Sequence, residues 1–163
     1  MNNTRIAMLL TAGILTGCAS YETDKTVQSI PVTTAAKSLG APSTTLSYST
    51  TIDNYKRELA ERIATTNSVR VYAGRPQALL RSVVVVKYAI DSQGNLTHSE
   101  IMRSNRDDIA EAVALTSLKQ AAPFPIPASH LLRRGRVELA ETWLFNNDGR
   151  FQLRSIAEPQ MDE

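Results

Sequence analysis

Ile52, Tyr55, Leu59 and Ile63 recur at three- and four-residue spacing, while Lys56, Arg57, Glu58, Glu61 and Arg62 fall largely on the other side. That repeat predicts an amphipathic helix over 53–65, with Asp53 able to cap its start. Asn67 to Arg81 reads as a loop punctuated by Gly74 and Pro76. Four consecutive valines, 83–86, then predict a strand over 82–90 that is buried on both faces at its start. Lys87 marks where one face reaches solvent. Asp91 to Asn95 is a turn in which Gly94 is free to take positive φ. Leu96 to Met102 returns as the second strand of a hairpin, with imperfect alternation.

Ser104-Asn105-Arg106-Asp107 opens a second helix in capping-box style, with Asp107 standing in for the preferred Glu. Asp107 and Asp108 also complement the positive helix end. The apolar stripe of this helix is Ile109, Ala110, Val113, Ala114, Leu118 and Ala121, and its small residues allow a close approach to a sheet. Pro123 ends it, and the run to Pro127 is extended because every second residue fixes φ. Phe124 and Ile126 are then placed to plug the edge of the core. Val137, Leu139, Glu141, Trp143 and Phe145 alternate with Glu138, Ala140, Thr142 and Leu144, which predicts a last long strand over 137–145. A short strand within 151–156 follows the Asn146 to Gly149 turn. The expected fold class is α+β: a small antiparallel sheet with helices packed on one face, preceded by a flexible tether.

The tether is Ala19 to Thr51, rich in Ser, Thr and Ala and without sustained apolar periodicity. The other reading of this stretch is that residues 27–46 add an edge strand. Ahead of it, Arg5 forms a short positive region and Ile6 to Leu15 an apolar run of about ten residues, half of what spans a membrane. The run ends in Leu15-Thr16-Gly17-Cys18, which resembles the lipobox of bacterial lipoproteins. The resemblance implies a signal peptide over 1–17, cleavage before Cys18, and lipid on the thiol and new amino group of Cys18. It also implies attachment to a membrane on the periplasmic side of the envelope. Ala19 is compatible with sorting to the outer membrane, since it is not the Asp that commonly signals retention in that family.

Charge adds an exclusion. Lys and Arg number 18 against 16 Asp and Glu, and no basic cluster is long enough to suggest nucleic acid. The densest basic patch, Arg133-Arg134-Gly135-Arg136, reads as a solvated loop. Lipidation consumes the single cysteine, which leaves no disulfide, thiolate catalyst or cysteine metal site. His98 and His130 are the two histidines, and no metalloprotease or nucleophile-elbow spacing accompanies them. No catalytic residue, cofactor or metal is therefore expected. Trp143 is either core or an interface hot spot.

Over roughly 82–145, and including the strand that follows, the chain resembles the C-terminal domain shared by TonB and TolA proteins. The residues that carry the likeness are the Val-rich strand and Asp-Ser-Gln-Gly turn at 83–96, Met-Arg-Ser-Asn at 102–105, the Ala-rich helix at 108–122, and Pro-Phe-Pro-Ile-Pro at 123–127. The resemblance implies a domain over 52–157, with a polar tail at 158–163, that docks an envelope protein partner by pairing a strand edge. The expected edge is the 137–145 strand, through Glu138, Ala140, Thr142 and Leu144, or else the short strand after it. The alternative is an uncleaved inner-membrane energy transducer working with a proton-driven motor. Against it, the apolar run carries no ionisable group, and the long Pro-Glu/Pro-Lys spacer typical of TonB is missing.

Overall fold

The computed structural model describes residues 45–160. Cys18, the signal region, the tether up to residue 44 and residues 161–163 lie outside them.

Helix α1 spans Ile52–Thr66, and Tyr55, Leu59, Ala60 and Ile63 form its buried stripe. Its N-cap is Thr51, whose hydroxyl accepts from the Asn54 N–H at 3.2 Å. Asp53, the expected cap, instead lies in the first turn, where its charge faces the positive helix end.

Strands β1 (Ser82–Asp91), β2 (Leu96–Arg103), β3 (Arg136–Phe145) and β4 (Phe151–Leu153) form one antiparallel sheet in the order β2-β1-β3-β4. β1 pairs with β3 in unbroken register, from Ser82 opposite Phe145 to Asp91 opposite Arg136. The period of two then separates the faces. Val84, Val86, Tyr88 and Ile90 of β1 join Val137, Leu139, Trp143 and Phe145 of β3 in the core, together with the buried stripes of both helices. The other face carries Val83, Val85, Lys87, Glu138, Ala140, Thr142 and Leu144, all exposed or half-buried. The four valines are thus not buried on both faces, and Val83 is 39% exposed. Both helices spend their apolar stripes on the even-numbered side of β1.

Helix α2 spans Asp108–Ala121. The capping-box reading was displaced by three residues: the N-cap is Asp107, whose carboxylate accepts from the Ala110 N–H at 3.1 Å. Ser104 instead accepts from the Arg106 N–H and donates to Glu111. Ala110, Ala114, Ser117, Leu118 and Ala121 are buried, but Ile109 is 68% exposed. Ile109 lies about 100° around the helix from Ala110, outside the stripe that faces the sheet. The small stripe brings α2 close to β1 and β2, and the Trp143 indole N–H reaches across from β3 to donate to the Ser117 hydroxyl at 2.9 Å. Trp143 is fully buried, so it belongs to the core and not to a surface contact.

The Pro-rich corner places Phe124 in the core, stacked on Tyr88 with ring centres 6.5 Å apart. Ile126 is half-buried. Its N–H donates to the Thr45 carbonyl and its own carbonyl accepts from Ser47, each at 2.9 Å. The ordered fold therefore begins ahead of residue 52. Ser47 is buried, and Ser47 and Ser49 both donate to the Glu58 carboxylate. Of the alternative strand over 27–46, the described residues contain only this bridge at Leu46. Among the described residues no helix is long and apolar enough to cross a membrane.

Acid sensitivity follows from the cap of α2. The Ala110 N–H, then the hydrogen bond and charge of Arg81, hold the Asp107 carboxyl below its ordinary value of 3.8. A depressed folded value stabilises the fold above the ordinary value, and that contribution is lost as pH falls through the folded one. The Arg150 N–H and guanidinium act on Asp148 in the same direction. The melting temperature is expected to hold steady down to about pH 5 and to fall below about pH 4. A melt that stays flat to about pH 3 contradicts this assignment.

Candidate strand-pairing edge

A sheet can accept a further strand only where backbone N–H and C=O groups are unpaired. The outer side of β4 is not such a place. Val71 bridges Phe151 in parallel, the Tyr72 N–H donates to the Phe151 carbonyl at 2.9 Å, and Gln152 donates to the Tyr72 carbonyl. The short strand after β3 is therefore covered, contrary to one of the two expectations.

β3 is divided. Its C-terminal part pairs with β4 from Trp143 to Phe145, with Leu144 opposite Gln152. The Thr142 carbonyl accepts from the Arg154 N–H at 2.9 Å, and the Thr142 N–H donates to its neighbour Glu141 at 2.7 Å. Thr142 and Leu144 are thus already bonded, because the Asn146–Gly149 turn folds the chain back beside them. The expectation of a free edge fails at these two residues.

At the other end Arg133 and Arg136 exchange both backbone hydrogen bonds, at 2.8 and 3.2 Å. Arg134 has φ 53° and Gly135 φ 79° between them, the two positive values of a type I′ turn. Glu138 and Ala140 lie between these closed ends. Backbone groups of a strand alternate sides, and Arg136 and Thr142 bond away from β1. Glu138 and Ala140 share their parity, and among the described residues no strand pairs with them on that side.

β2 also has an outer side, which sequence reasoning missed. Its register with β1 shifts between Val85 and Val86 and between Ala89 and Ile90. These irregularities, with exposed His98, Glu100 and Arg103, blunt the edge against pairing. The imperfect alternation of Leu96 to Met102 was the available signal. The Glu138–Ala140 stretch carries no such shift.

Beside the N-terminal half of β3 lies a groove of about 540 Å³, with Ile52, Leu131 and Val137 as its apolar lining and Arg133, Arg134 and Arg136 around them. Arg136 hydrogen-bonds Glu138 at 2.6 and 2.9 Å, and Lys87 sits 3.8 Å from the same carboxylate. The Arg136 hydrogen bond, followed by the charges of Arg136 and Lys87, holds the Glu138 carboxyl below the usual carboxylate range. His130 borders the groove with its Nε2 2.9 Å from the Thr50 carbonyl, while His98 lies on β2 against Glu100. The two histidines do not share a site. Asp107 is engaged by Arg81 as well as by the helix end.

The edge is short. Four backbone groups at about 0.5–1.5 kcal/mol net each offset little more than the ~4 kcal/mol or more that association costs. Side-chain contacts in the adjoining groove must supply the rest of any affinity. Compared with known proteins, the chain matches no family model, no curated protein and no solved structure.

Proposed function

We propose that this protein is a lipid-anchored adaptor on the periplasmic side of the bacterial envelope. Lipid on Cys18 holds it to a membrane, with the outer membrane favoured by Ala19. Its folded domain binds an envelope protein by adding that partner's extended segment to β3. The observation that carries this reading is the pair of outward-facing backbone positions at Glu138 and Ala140, beside a groove and without a strand partner among the described residues. The TonB/TolA-like order of elements supports it, since the family docks partners in this manner, and so does the lipobox-like sequence ending at Cys18.

Ala140→Pro tests the binding mode. Proline removes one donor and is tolerated at an open edge far better than inside a sheet. The variant is expected to melt within a few degrees of the wild type. Its yield of partner in a cell crosslinking experiment, from a photoreactive probe at Ile52, is expected to drop several-fold. A folded variant that captures its partner at the normal yield contradicts strand addition at this edge.

A further inference from the structure

Arg134 holds a left-handed backbone at φ 53°, in a turn position that Asn or Gly fills without steric cost. Strain of this kind persists where the rest of the structure, or function, holds it in place. Here it presents a guanidinium at the tip of a turn whose flanking residues, Arg133 and Arg136, are also arginines. Among the described residues neither Arg133 nor Arg134 has a carboxylate partner, whereas Arg136 is bound to Glu138. The groove thus holds three arginines against the single carboxylate of Glu138. Ile52 and Leu131 add apolar surface to the same groove above the buried Val137, and Ile52 is 40% exposed.

An extended chain sends successive side chains to opposite sides. One row can lie on the apolar lining while the other meets the arginines, as the backbone pairs with Glu138 and Ala140. We propose that the segment bound at this edge is acidic, with carboxylates alternating with apolar side chains. This rests on the strand-addition reading above and names the chemical class of its partner. Charge complementarity selects that class. An anionic lipid headgroup would satisfy the arginines and leave the unpaired N–H and C=O groups of Glu138 and Ala140 unused.

The test uses the full-length protein in nonionic detergent and fluorescence anisotropy of short labelled peptides. One peptide alternates valine with glutamate, a second valine with lysine, and a third is the glutamate peptide N-methylated at alternate backbone nitrogens. The glutamate peptide is expected to bind at least about tenfold more tightly than the lysine peptide, and less tightly as salt is raised. N-methylation is expected to abolish binding. Arg133→Gln with Arg134→Asn should weaken the glutamate peptide several-fold, with a melting temperature equal to or above the wild type because Asn relieves the strained φ. Equal binding of the glutamate and lysine peptides, both lost on N-methylation, overturns the acidic preference and leaves strand addition standing. Binding indifferent to N-methylation overturns strand addition itself. Failure of the glutamate peptide to bind, or its displacement by short-chain phosphatidylglycerol but not phosphatidylcholine, also overturns the proposal.

Discussion

Val86→Asp is expected to abolish the cooperative thermal transition of the folded domain. Val86 is fully buried on β1, the strand paired on both sides, and its side chain faces the core. Across the β1–β3 pair it lies opposite Glu141, which is itself 1% exposed. One Glu141 oxygen accepts from the Thr142 N–H, while the other has no hydrogen-bond partner among the described residues. The Tyr88 hydroxyl is similarly unpartnered, and burial, followed by the charge of Glu141 and the influence of Tyr55, pushes its phenol well above the ordinary value. This part of the core already carries polar groups at some cost, and among the described residues no lysine or arginine is buried there to receive another carboxylate. The substitution removes about 1.5 kcal/mol or more of apolar burial. It adds an unpaired buried charge at several kcal/mol, and like charges directly opposite each other in a sheet repel. The sum approaches the whole stability of about 5–15 kcal/mol for a domain of this size. Circular dichroism on heating reads the result directly, and a melt near that of the wild type would contradict the placement of β1 at the centre of the sheet.

Cys18→Ser is expected to move the protein out of the tightly bound membrane fraction. The sequence holds one cysteine, so the variant has no thiol to accept lipid. Stable anchoring takes more than one acyl chain, because each buried methylene contributes only about 0.8 kcal/mol and a single chain dissociates readily. Without lipidation the run from Ile6 to Leu15 is about half the length of a spanning helix. Fractionation of cells, with an intact mass of the extracted protein, distinguishes the cases. The wild type should carry acyl mass on a chain beginning at Cys18. A serine variant retained as firmly as the wild type removes the basis for the lipoprotein reading. Retention with an intact Met1 would favour an uncleaved membrane anchor.

Local periodicity determined much of this protein before any fold was known. The 3.6-residue repeat from Ile52 to Ile63 specified α1 and the buried side formed by Tyr55, Leu59 and Ile63, while Ile52 in the first turn stays 40% exposed. The alternation of 137–145 specified β3 and correctly divided Leu139 and Trp143 from Ala140 and Leu144. Pro123 to Pro127 and the turn at Gly94 were legible because their residue types restrict or free φ. The α+β class followed from the order of these elements.

Tertiary structure decided what no local repeat encodes. Strand order depends on pairing between segments some fifty positions apart, such as Val86 with Glu141, and a period of two is the same in a central strand and at an edge. Among the described residues the backbone at Glu138 and Ala140 is therefore left without a strand partner, whereas at Thr142 and Leu144 the returning chain occupies it. The four valines misled for a related reason: an apolar side chain states what it could bury, and only the arrangement of α1 and α2 states which face is covered. Ser47 reads as tether because the stretch around it is rich in Ser and Thr and lacks apolar periodicity, yet Ile126 and Glu58 hold it in the fold. The free edge itself consists of backbone N–H and C=O groups. Every residue except proline carries both, so they leave no mark in the sequence until the neighbouring strands are placed.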